Sequence, residues 1–132
     1  MASSFPAPLR VSAVQCSIHW NDVSANLQLI KSLVRDHAAM SDLIVFPETI
    51  TTGFSSEAAK LADREQGKVY QTLLRLSHEY NVALAGSYLS EVKGVIHNLF
   101  FLIEPDGKVQ LQAKRHLFAP GGEKEFVSSA TS

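Results

Sequence analysis

One cysteine in 132 residues, Cys16, excludes an intramolecular disulfide framework and makes a reducing, cytoplasmic setting the expectation. No Cys/His pair has the close spacing of a structural zinc site. His19, His37, His78 and His97 stand singly, without the i, i+4 spacing of a helix-borne metal pair. Nowhere do about 18 apolar residues run together, so no membrane span is expected. Twelve Lys and Arg nearly cancel thirteen Asp and Glu, leaving a formal charge of −1 and no basic stripe for a phosphate backbone. Nucleic acid and membrane are therefore not expected partners. The first ten residues, Met1 to Arg10, hold no signal-peptide core and are read as a loose arm through residue 8.

What is present is a globular balance, 45% apolar and 19% charged, at a length suited to one core. Val11, Ala13 and Val14 open a short β-rich run that ends at Cys16 and is expected to be a central strand. Asn21 and Asp22 offer capping oxygens. Leu27, Ile30, Leu33 and Val34 then recur on one helical face, which predicts a helix over 23–39. Leu43 to Phe46 is a continuous apolar run closed by Pro47, as a strand buried on both faces requires. Val69, Leu73, Leu76 and Tyr80 repeat at helical spacing, and Val82 to Gly86 predicts a third strand. From Val95 the pattern changes to a hairpin, 95–103 and 108–114 around the turn Pro105-Asp-Gly107. The class is α/β with a mixed sheet. A doubly wound nucleotide-binding domain shares this β-α-β-α-β start, but no Gly-x-Gly-x-x-Gly follows the first strand and no phosphate loop occurs.

Two segments carry chemistry. Asp42-Leu-Ile-Val-Phe-Pro-Glu48, with Thr51-Thr-Gly-Phe54 after it, sets a carboxylate at the mouth of an apolar strand, where a catalytic base belongs. Ala113-Lys-Arg-His-Leu-Phe118, followed by Gly121-Gly-Glu123, ends another strand with a lysine and a second carboxylate. Taken singly, each has a bland alternative: a solvated strand-end glutamate, a surface lysine, a turn.

Together with Val11-Ser-Ala-Val-Gln15, Asn26-Leu27, Ala85-Gly-Ser87 and Asn98, these segments occur in the order found in the nitrilase superfamily of carbon-nitrogen hydrolases. From about Leu9 to Phe126 the chain resembles the N-terminal half of that family, and within it the ω-amidase-like branch. The resemblance implies part of a four-layer α-β-β-α sandwich, homodimerisation of the complete protein, and Glu-Lys-Cys catalysis without a metal or organic cofactor.

By the same resemblance Glu48 is the general base, a role that burial would favour, and Lys114 faces the developing oxyanion. Glu123 holds Lys114 or orients substrate, with Glu125 as the competing assignment. Thr51, Phe54 and His116 are placed at the substrate, His116 without a catalytic role, while Arg115 is read as a surface charge. Trp20 is expected as a hydrophobic anchor beside the first strand. Cys16 matches the opening strand rather than the nucleophile segment, which in the family follows the lysine by about one further strand. The chain as it stands at Ser132 is therefore expected to be an incomplete domain over 9–132, inactive for want of its cysteine. The expected activity is hydrolysis of the amide of a small dicarboxylic or keto-acid monoamide. The alternative is a truncated paralogue that acts by association with a full-length subunit.

Overall fold

The computed structural model describes residues 7–130, so residues 1–6 of the expected arm, with Thr131 and Ser132, lie outside the described residues. The element order is β1 (Val11–Ala13), α1 (Val23–His37), β2 (Leu43–Val45), α2 (Ala58–Leu61), α3 (Lys68–Tyr80), β3 (Ala83–Val92), β4 (Val95–Ile103) and β5 (Val109–Ala113). Two short 3-10 turns, Ala119–Gly121 and Glu123–Glu125, follow. The five strands form one sheet in the order β1-β2-β3-β4-β5, the first three parallel and the last three antiparallel.

Helices α1 and α3 begin where side chains satisfy free backbone N–H groups. Asp22 Oδ1 accepts from Ala25 N at the start of α1. Asp63 Oδ2 accepts from Val69 N and Tyr70 N in the first turn of α3, and Asn81 ends that helix in the left-handed conformation. The apolar stripes Leu27, Ile30, Val34 and Val69, Leu73, Leu76 then close over one face of the sheet, burying Ile44, Leu84, Tyr88, Phe101 and Ile103. The chain thus supplies one helical layer and one sheet layer, in keeping with part of an α-β-β-α sandwich.

Three expectations change. The first strand is an edge strand and not a central one among the described residues: β1 pairs only with β2, and Val11 is half-exposed. The third strand does not stop at Gly86 but runs to Val92, because Lys93 and Gly94 both take positive φ (51° and 79°) and fold β3 directly onto β4. Two consecutive left-handed residues are what a two-residue hairpin turn demands. Trp20 is not a buried anchor. It is 61% exposed and packs against Gly53, where a Cβ would come within 2.5 Å of its ring.

Candidate active site

The site is built on the sheet face opposite the helices. Strand alternation directs Leu84, Tyr88 and Phe101 to the covered side and Ala85, Ser87, Asn98 and Phe100 to the other. At the end of β2, Phe46 N donates to Ala85 O, after which the backbone turns with Thr49 at φ 50°. The turn is tied to β3 twice over: Thr49 N donates to Ser87 Oγ (2.8 Å) and Ile50 N to Ser87 O (3.0 Å). Asn26 fixes the same loop from α1, its amide donating to Thr51 O and His19 O while its Oδ1 accepts from His19 N. Glu48 is thereby presented beside β3 and β4. Lys114 leaves β5 at the same end, with its N–H on Asn98 O (2.9 Å).

Glu48, Lys114 and Glu123 are close neighbours in space. Lys114 Nζ lies 2.7 Å from Glu48 Oε1 and 3.1 Å from Glu123 Oε1, and 5.7 Å from the ring centroid of Phe54. Asn98, 1% exposed, closes the other side: its Nδ2 donates to Glu48 Oε1 (2.7 Å) and to Glu123 Oε2 (3.3 Å). Phe118 N donates to Glu123 Oε1 at 2.6 Å. This bond needs the chain to double back, which it does through the 3-10 turn at 119–121 and Gly122 at φ 75°.

The two carboxylates differ in surroundings. Both oxygens of Glu123 are engaged, and its side chain is 6% exposed. Burial pushes its pKa up, but the Phe118 N–H, the Lys114 ammonium and the Asn98 amide outweigh that push and hold the carboxyl below the ordinary glutamate range. Glu48 has two donors on Oε1 and none on Oε2 among the described residues, and its side chain is 41% exposed. The burial expected for Glu48 is thus not found: it sits on the uncovered face of the sheet. For Lys114, partial burial pulls the pKa down, and the hydrogen bonds it donates to Glu48 and Glu123 more than reverse it, so the ammonium stays charged through neutral pH.

Beside these groups is a cavity of about 410 Å³ lined by Glu48, Ser87, Asn98, Phe100, Ala113 and Lys114 among others. A second cavity of about 300 Å³ adjoins Glu123 and is framed by Trp20, Phe54, Phe118 and Phe126. Of the residues placed at the substrate, Phe54 is well situated, half-exposed over Lys114. Thr51 is fully buried beneath the loop, where only its carbonyl is used, by Asn26. His116 is exposed and lines a separate depression with Lys124 and Ser128. Glu125 is exposed and forms no ion pair among the described residues, so of these two carboxylates it is Glu123 that meets Lys114. Cys16 packs against the core, and burial raises its thiol pKa, the reverse of what activates a nucleophile. Ser87 and Asn98 were quotable in the sequence only as parts of motifs. Their hydrogen bonds span 38 and 50 residues, and no local pattern announces them.

The model of the carbon-nitrogen hydrolase family matches residues 10–131. The chain belongs to that family. It is 34% identical over 115 residues to the Yersinia enterocolitica protein named omega-amidase YafV, covering 87% of this chain and 44% of the relative. An (R)-stereoselective amidase from a Pseudomonas species is 28% identical over 120 residues, with 89% and 43% covered. A carbon-nitrogen hydrolase superfamily protein of solved structure from Xanthomonas campestris superposes with a TM-score of 0.88 at 32% identity, covering 94% of this chain and 47% of that one. The chain thus spans a little under half the length of the relatives it matches.

Proposed function

We propose that these residues are the base, the cation and the second carboxylate of an amidase that hydrolyses the terminal amide of a small dicarboxylic or keto-acid monoamide. The observation that carries it is the pair of Lys114 ion contacts at 2.7 and 3.1 Å, with one glutamate saturated and the other keeping a free oxygen. The resemblance to omega-amidases supports the substrate class. Residues 9–132 are on this reading the N-terminal portion of a single hydrolase domain whose complete form is a cytoplasmic homodimer.

The chemistry follows from the placement. A thiol delivered beside Glu48 gives its proton to Oε2, and the thiolate attacks the amide carbonyl. The carbonyl oxygen takes the negative charge and is met by the Lys114 ammonium, which already carries its charge and needs no reorganisation. Collapse breaks the C–N bond, and the proton on Glu48 passes to the departing ammonia. Water then attacks the thioester, Glu48 takes its proton, and return of that proton to the leaving thiolate frees the acid. Glu123, without a free oxygen, anchors Lys114 rather than moving protons. Cys16, packed against the core, is not this thiol on this reading, and turnover then uses a thiol other than Cys16.

The test is ammonia release from an α-keto acid ω-amide, a nitrile and an N-carbamoyl compound, measured for the 132-residue chain and for the full reading frame. Release from the keto-acid amide by a protein that carries the additional thiol, lost in Glu48→Gln, supports the reading. Turnover confined to the nitrile or the carbamoyl compound overturns the substrate, and turnover by the 132-residue chain overturns the need for a thiol other than Cys16. A second reading, an inactive chain that pairs with a full-length subunit, is favoured by the apolar residues on the open face, Val11 and Phe100. Sedimentation of the chain with such a subunit, without ammonia release, is its signature.

A further inference from the structure

The chain contains two fully buried asparagines that span elements, and they are satisfied in different ways. Asn26 is a structural asparagine in every respect: Nδ2 donates to two carbonyls and Oδ1 accepts a backbone N–H. Asn98 uses only its donor end. Its Nδ2 reaches Glu48 Oε1 and Glu123 Oε2, while its Oδ1, buried with the rest of the side chain, accepts nothing among the described residues. A buried acceptor without a donor is costly and rare in folded proteins. The opposite amide orientation would be worse, since it would set a carbonyl oxygen against two carboxylates. Holding the carboxylates therefore decides how this side chain lies, at the expense of its own oxygen.

We propose that Asn98 is a positioning residue, which, on the amidase reading above, sets the base. Its two N–H bonds hold Glu48 and Glu123 on either side of Lys114 and occupy Glu48 Oε1, so that Oε2 is the oxygen that receives the proton. Glu48, Lys114, Glu123 and Asn98 form a closed ring in which two donors separate two acceptors. Lys114 alone could collapse toward either glutamate, and a proton could settle on either oxygen of Glu48. With Asn98 in place, a proton on Oε2 leaves all four contacts intact, and the base can gain and lose it without rearranging the cation that faces the oxyanion.

The test is an NMR titration of the 132-residue chain from about pH 3 to about pH 8, the range in which carboxylates ionise. It follows the Asn98 side-chain N–H₂ signals and the Glu123 carboxyl carbon. The two N–H protons are expected to shift together as Glu123 ionises, and in Asn98→Leu the Glu123 midpoint is expected to rise because its anion has lost a donor. Should Asn98→Leu not fold, the N–H₂ titration of the unaltered chain decides, and Asn98→Asp, of the same shape, is expected to raise the Glu123 midpoint further. N–H₂ signals that stay flat while Glu123 titrates would overturn the assignment. No step depends on turnover. Concerted titration in the 132-residue chain, with no ammonia released by the form of the protein that carries the additional thiol, would sink the amidase reading and leave Asn98 in its role; flat signals beside ammonia release from that form would do the reverse.

Discussion

The two faces of the sheet are made by the same strands and behave as different materials. On β4, Phe101 is 0% exposed and sealed under α1 and α3, whereas its neighbour Phe100 is 47% exposed on the open face with Asn98 beside the carboxylates. On β3 the alternation repeats: Leu84 and Tyr88 go to the core, and Ala85 and Ser87 face the site. Stability and chemistry are thus written into one segment at alternate positions. The covered face packs the strands against α1 and α3, and the polar groups on the other face are carried on the same backbone.

The comparison breaks most visibly with matched truncations. Phe101→Ala is expected to cost about 3–5 kcal/mol in urea unfolding, because it removes a fully enclosed ring and leaves a cavity. Phe100→Ala, one residue away, is expected to cost about 1 kcal/mol or less, since its ring is half in water already. Equal costs would mean that the open face is covered in solution.

The next effect belongs to the site. In a form of the protein that carries the nucleophile, Lys114→Met is expected to lower kcat about 10²–10³-fold, the usual effect of removing one oxyanion donor. Smaller still is Glu123→Gln, expected to lose about 1.5–3 kcal/mol at neutral pH, the range for hydrogen bonds to a charged group. The sign can be checked by pH. The Glu123 carboxyl is depressed in the folded chain, so its contribution is present above the unfolded value of 4.5 and disappears as pH falls through the lower folded value. Wild type and Glu123→Gln should therefore converge in strong acid. A gap that stayed constant there would assign the loss to packing instead of charge.

Much of the covered face was legible from sequence, and the open face only in outline. The apolar stripes of α1 and α3 and the run 43–46 declare their burial by periodicity, and Glu48, Lys114 and Glu123 declare themselves as members of motifs. The central position expected for β1 failed, because a short β-rich run looks the same at an edge as in the middle. The roles of Asn98 and Ser87 were hidden because both act across long stretches of chain, Asn98 on Glu48 and Ser87 on the Thr49 loop. His116, adjacent in sequence to the site, points elsewhere because the backbone changes direction after Lys114. The β3–β4 turn was missed for a local reason: its first central residue is Lys93, a side chain seldom found at positive φ.

That turn gives the smallest and sharpest test. Lys93 and Gly94 join β3 to β4 in the register that pairs Leu89 with Asn98 and Tyr88 with Leu99. A slip of one residue would carry Asn98 to the covered face and Leu99 to the open one. Gly94→Ala is expected to cost only about 1 kcal/mol, the strain of a side chain at positive φ, since nothing lies within 4 Å of the added Cβ. The register should survive, because it is held by the burial of Leu99, Phe101 and Ile103 as much as by the turn. In Gly94→Ala the Asn98 N–H₂ signals should therefore titrate as in the unaltered chain even though the midpoint of unfolding falls. If those signals are lost while the fold persists, the turn alone sets which residues face the site, and the covered face is not what keeps the chemistry in place.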